Sequence, residues 1–200
     1  MNHPRRLLAT FCSIVCISTV LALPTAAHAA GEVHRDPAKD VLRIEDESPD
    51  TPRVPGQRTA DIVKIASAHS RNLVAVTITL RDLPNADFDY DFRIKTPRAG
   101  FFELSFVKHD AGDTPQLDLW RVTDEWVEVA CTGKSRRVDH TADTIRVAVP
   151  RSCLGRPSWV RTGAGADVLA GHNAGYVDDA RRKAAYSLNR LALGPRLRRG

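Results

Sequence analysis

Apolar residues recur at every second position over most of the chain after residue 40. Val74, Val76, Ile78 and Leu80 fall on one side of residues 73–80, with Ala75, Thr77 and Thr79 on the other. Phe88, Tyr90, Phe92 and Ile94 alternate with Asp87, Asp89, Asp91 and Arg93, which predicts a strand with one face in the core and a charged face in water. The same period gives strands over 41–44, 61–67, 102–106, 116–122, 126–130, 144–149 and 159–162, and their β-branched content favours strand over helix. Pro49, Pro52, Pro55 and Gly56 make residues 48–58 a loop, and short polar turns separate the remaining runs. About nine short strands at regular spacing predict an all-β fold, an antiparallel sandwich of jelly-roll or immunoglobulin-like type. Helical spacing occurs only near the end. There Ala180, Ala184, Leu188 and Leu191 share a helical face and Asp178 or Asp179 offers a cap, so a short helix is expected, followed by a frayed tail over 196–200.

Three features of composition sharpen this picture. Arg5 and Arg6 precede an apolar run over 7–23, and Ala27-His28-Ala29 places small residues where a signal peptidase cuts. Residues 1–29 therefore read as a signal peptide, residues 30–180 as one sandwich domain and residues 181–200 as a basic tail. No later segment is apolar enough to predict a membrane span. The chain has 29 Lys and Arg against 24 Asp and Glu. Much of the excess lies beyond residue 180, where seven basic residues and no acidic ones are found. With Tyr186 as the only aromatic among them, the tail reads as a weakly adhesive, solvated segment and not as a specific nucleic-acid reader. Of four cysteines, Cys131 and Cys153 lie outside the leader, and export predicts that they form one disulfide.

Candidate chemistry is sparse. The histidines beyond the leader (His34, His69, His109, His140 and His172) show no metal-ligand spacing, and no G-x-S-x-G or H-E-x-x-H motif occurs. Asp87, Asp89 and Asp91 lack the glycine of a calcium-binding EF-hand loop and read as a solvated strand face. Asp36, Asp40, Asp61, Asp178 and Asp179 sit at strand starts or near the chain end, positions that share a rim in many sandwiches. Together they supply the hard oxygen donors that Ca²⁺ requires. Among the three tryptophans, a turn at 123–125 that pairs Trp120 near Val129 puts Trp120 in the core with Val122 and Val127. It leaves Trp126 on the other face, with Arg121 and Glu128, as the candidate for stacking against a ligand.

The runs D-P-A-K-D-V at 36–41, D-I at 61–62, R-D-L at 81–83, V-P-R-S-C-L-G-R-P-S-W-V at 149–160 and V-D-D-A at 177–180 together resemble a family of secreted actinobacterial proteins of unknown function. More distantly, the Asp-rich entry followed by D-I and a strand pair is similar to family 9 carbohydrate-binding modules and DOMON-like domains. That likeness implies a jelly-roll-like sandwich, often with bound calcium and sometimes with a sugar or haem site. The chain departs from the pattern at Lys39, where relatives commonly have glycine, and its only methionine is Met1, so methionine-ligated haem is not expected. The expected function is a secreted, non-catalytic binding module at the cell envelope that engages a cell-wall polysaccharide and carries a structural calcium. The alternative is a purely structural or protein–protein interaction domain with a secreted partner and no small ligand.

Overall fold

The computed structural model describes residues 30–45, 50–85, 87–108, 112–170, 173–187 and 190–200. The expected signal peptide (1–29), His109, His172 and Leu188 lie outside the described residues.

Thirteen strands form in chain order: β1 (Ala30–Arg35), β2 (Leu42–Glu45), β3 (Ile62–His69), β4 (Leu73–Leu80), β5 (Phe88–Lys95), β6 (Phe101–Lys108), β7 (Gln116–Val122), β8 (Trp126–Glu128), β9 (Ser135–Asp139), β10 (Thr144–Pro150), β11 (Trp159–Leu169), β12 (Ala174–Asp179) and β13 (Leu197–Arg198). All pairings are antiparallel. One sheet has five strands in the order β1-β3-β4-β10-β9; the other runs β2-β12-β11-β5-β6-β7-β8, with β13 added on β11. The expected all-β sandwich is therefore what forms, with four strands beyond the nine expected. β1, β9 and β13 lack an alternating apolar pattern, and β12 is short and rich in Gly and Asp, so periodicity gave no sign of them.

The two sheets bury the alternating residues against each other. Ile65, Val76, Ile78, Ile145 and Val147 from the smaller sheet meet Tyr90, Phe92, Leu104, Phe106 and Leu119 from the larger. Where polar groups enter this layer they are paired. Ser67 Oγ lies 2.6 Å from Thr162 Oγ1 across the sheets, and the Tyr90 hydroxyl donates to the Thr59 carbonyl at 2.9 Å. The disulfide Cys131–Cys153 forms as expected, with Cα atoms 5.6 Å apart. It joins the chain just after β8, in the large sheet, to the corner after β10, in the small one.

Two expectations need correction. Among the described residues there is no helix, so none is long and apolar enough to cross a membrane; residues 180–184 form turns, and 185–187 and 190–196 belong to an irregular strap. It packs on the outer face of the large sheet. Gly163 and Gly165 of β11 leave room for it: a Cβ at Gly163 would lie 2.2 Å from the Ala192 carbonyl oxygen, and one at Gly165 would lie 2.6 Å from the Leu191 side chain. Gly194 N–H donates to Thr162 O, Arg161 donates to the carbonyls of Leu193 and Gly194, and β13 pairs with Trp159 and Val160. The residues after it are not frayed: Arg199 and Gly200 donate backbone hydrogen bonds to Ser158 and His69.

The second concerns the charged side of β5, which is only partly solvated: Asp87 is exposed, but Asp89 and Asp91 are half-buried. Arg93 and Glu103 are buried as an ion pair of 2.6 Å, and Arg93 stacks 4.0 Å over the Phe101 ring. Burial, helped by the neighbouring Asp89 and Glu103 carboxylates, pushes Asp91 up to about 8.

Candidate functional site

Asp36 follows β1, Asp40 precedes β2, and Asp178 lies within β12, which pairs with β2. One carboxylate oxygen from each of the three falls within 4.8 Å of the others, and all three residues are buried. The fold brings them together through a β-bulge at the start of β3. Ile62 pairs with Leu80 and Lys64 with Thr79, so Val63 has no partner residue on β4. The backbone groups released there serve the cluster: Ile62 N–H donates to Asp178 Oδ2 at 2.8 Å, and Asp36 N–H donates to the Val63 carbonyl at 3.1 Å.

The remaining contacts separate the five expected ligands into two kinds. Asp179 is committed to structure. Its Oδ1 accepts from Arg181 N–H, its Oδ2 accepts from Ala192 N–H at 2.8 Å, and Arg182 lies 3.4 Å away. Asp61 is half-committed: Oδ2 accepts from Lys39 N–H at 2.8 Å and from the Arg81 guanidinium at 2.6 Å, while the buried Oδ1 has no partner. Asp40 Oδ2 accepts from Ala184 N–H at 3.1 Å, and its Oδ1 has none. Asp36 is the extreme case. It is 7% exposed, yet neither carboxylate oxygen meets a donor.

Buried carboxylates without donors or cations are costly, because the charged form loses its hydration and gains nothing in return. Burial and the neighbouring Asp40, Asp179 and Asp61 push Asp36 up to about 8. Burial likewise pushes Asp178 up to about 9, against the Ile62 hydrogen bond, with Asp36 and Asp40 adding to the rise. A divalent cation removes that penalty at once. An all-oxygen donor set suits Ca²⁺ or Mg²⁺ and not a thiolate- or imidazole-seeking metal. Asp36, Asp40 and Asp178 are the residues able to hold it, with Asp61 Oδ1 beside them.

Lys39 does not obstruct this arrangement. Its backbone sits at φ 70°, the left-handed region that favours glycine, which turns its N–H toward Asp61 and leaves its side chain exposed. Sequence reasoning missed three contributors: the Lys39 amide, the Arg81 guanidinium and the Ala184 amide. Arg81 was visible in the R-D-L run at 81–83, but nothing in that run says which carboxylate it meets. Ala184 could not have been found from a segment that reads as a helix.

The tryptophans fall in a different register from the expected one. β7 and β8 pair Trp120 with Glu128, Arg121 with Val127 and Val122 with Trp126, one residue away from the expected register. A shift of one exchanges the two faces of a strand. Trp120 therefore leaves the core and joins Trp126 on the outer face, where their ring centroids are 6.5 Å apart at an interplanar angle of 66°. Phe101 of β6 packs edge-on against Trp126 across the intervening β7, also at 6.5 Å. Trp126 keeps 52% of its surface exposed and is the aromatic most open to a ligand. Among the histidines, His69 is buried and bonded through Nδ1 to the Leu197 carbonyl, a structural role. His140 is exposed in the turn after β9, where Asp139 Oδ1 accepts from the Thr141 and Ala142 amides.

Compared with known proteins, the chain matches no family model, no curated protein and no solved structure.

Proposed function

We propose that the protein is a secreted, non-catalytic binding module of the cell envelope, built around a calcium ion held by Asp36, Asp40 and Asp178. The observation that carries the metal assignment is Asp36, a buried carboxylate with two oxygens that no donor meets, facing two further carboxylates. The ion would be structural. It ties the β1–β2 connection, the bulge of β3, and β12 into one unit, and through Asp40 and Ala184 it reaches the strap. Glycan binding rests on Trp126, whose exposed indole, braced by Trp120 and Phe101, is the kind of rigid apolar surface on which a sugar ring stacks.

A thermal melt with EDTA and then with millimolar calcium tests the metal. A ligand at 100 times its dissociation constant stabilises by about 2.7 kcal/mol, or roughly 5–10 °C for a domain of this size. That shift is expected in the native protein and absent in Asp36→Asn; equal melts with and without calcium would refute the assignment. For the glycan, tryptophan fluorescence should respond saturably to purified wall polysaccharide and lose that response in Trp126→Ala. A native protein that shows no response would leave the metal assignment standing and remove the glycan.

A further inference from the structure

The two sheets have four edge strands, and three of them are blunted. β2 is flanked by residues 51–54, which exchange backbone hydrogen bonds with it, Arg43 N–H to Pro52 O and Val54 N–H to Val41 O. β1 is clamped to the strap by a bidentate Arg181–Glu32 pair at 2.9 and 2.7 Å. β9 carries Arg136 and Arg137 in its exposed half. β8 has neither proline nor a basic residue and is exposed at all three positions, with Trp126 at 52% and Val127 at 42%. An open edge of that composition is a template for another strand, and proteins ordinarily disguise it.

The hydrogen-bond pattern and the charges define what would fit. Val129 N–H donates to Leu119 O, so alternation along the β7–β8 ladder directs the N–H and C=O of Trp126 and Glu128 away from β7. On the inner side of this edge, an open groove of about 630 Å³ runs between β8 and the corner after β10. Val127 and Val129 line it, together with Arg98 and Arg121, which have no ion-pair partner among the described residues. Arg98 lies across Gly155, where a Cβ would come within 2.8 Å of its guanidinium. The opposite side of the edge presents the Trp126 ring.

We infer that β8 is a docking edge for an extended acidic peptide, which adds a strand there. A strand sends alternate side chains to opposite faces. Acidic residues at every second position would meet Arg98 and Arg121 in the groove, and apolar residues between them would lie on Trp126. Main-chain bonds to Trp126 and Glu128 give affinity, and the two guanidiniums give the charge preference. This site is independent of the carboxylate cluster.

The test uses the disulfide-intact protein and a blocked heptapeptide of alternating glutamate and valine. Saturable binding is expected, with amide chemical-shift changes at Trp126 and Glu128. Affinity should fall at least tenfold for the Arg98→Glu, Arg121→Glu double variant, and for a peptide methylated on its edge-facing amide nitrogens. A lysine-for-glutamate peptide should not bind. Equal affinity for the methylated peptide would overturn strand addition. Absence of binding at millimolar peptide would overturn the inference outright. So would binding of oligogalacturonate at the two arginines in place of the peptide, or self-association of the protein through β8.

Discussion

Asp36 is a buried and Asp91 a half-buried carboxylate, both with raised pKa values, but their surroundings give them different roles. Asp36 faces two other aspartates and meets no donor, whereas Asp91 lies under the strap beside Asp89, Glu103 and the Arg93 guanidinium. Asp91 is held up to about 8 by burial first and by those carboxylates second, while in the unfolded chain it titrates near ~4. Between those values the folded protein binds a proton that the unfolded chain has released. Stability contributed by this group is therefore present at low pH, declines as pH rises from about 4 to about 8, and is level above that. Asp91→Asn should match the native protein near pH 4 and exceed it by on the order of 5 kcal/mol at pH 8. Denaturant unfolding at the two pH values checks this, and a variant less stable at pH 8 would contradict it. The sequence shows Asp91 as one of three alternating aspartates and nothing more. Its partner across the sheet, Gly165, and Leu191, which packs over that glycine, are distant in sequence, and no local pattern reports them.

At the scale of elements, the strands carrying a regular alternation were legible because a half-buried strand must alternate. The bulge at Val63 was not. It depends on Ile62 and Val63 giving their backbone groups to Asp178 and Asp36, contacts that span more than 100 and more than 25 residues of sequence. Nor was the β7–β8 register, since the Thr123–Glu125 backbone bond closes a tighter hairpin than the one expected. The strap was misread because Ala180, Ala184, Leu188 and Leu191 are spaced in sequence like a helical stripe, although Ala180 and Leu191 are buried by a chain that forms no helix there. Gly163-Ala164-Gly165 holds its signature: two outward-facing glycines on a central strand mark close approach by another backbone. Gly163→Ala places a methyl group against the Ala192 carbonyl and should lift the strap, at a cost of about 2–3 kcal/mol by the usual scale of overpacking. Trypsin should then cut at Arg182 and Lys183 under conditions where the native protein resists. Unchanged stability and unchanged cleavage would show that the strap contributes little.

Over the whole molecule, the disulfide at one corner and the carboxylate cluster at β3 and β12 are two of the devices that join the sheets beyond their shared core. Cys131 and Cys153 are 22 residues apart, and closing a loop of that length is worth about 3 kcal/mol in the chain-entropy model. Reduction, or Cys131→Ser with Cys153→Ser, should lower the melting temperature by several degrees without altering metal affinity, since the disulfide touches none of the metal-facing aspartates. A loss of metal binding on reduction would contradict the independence of the two devices. The pairing of the cysteines was readable because only two remained outside the leader. The membership of the aspartate cluster was readable only in outline. Asp36, Asp40 and Asp178 converge, but nothing in the sequence tells that Asp179 caps the strap, because Asp178 and Asp179 are adjacent and differ only in the face of β12 they occupy.

The central claim is that the Asp36–Asp40–Asp178 cluster binds calcium, and calorimetric titration of calcium into EDTA-stripped protein addresses it most directly. One saturable site is expected in the native protein and in Asp179→Asn, whose amide oxygen can still accept from Ala192, and no site is expected in Asp36→Asn. Native protein that takes up no calcium, or an Asp36→Asn variant that binds as tightly as native, would contradict the account.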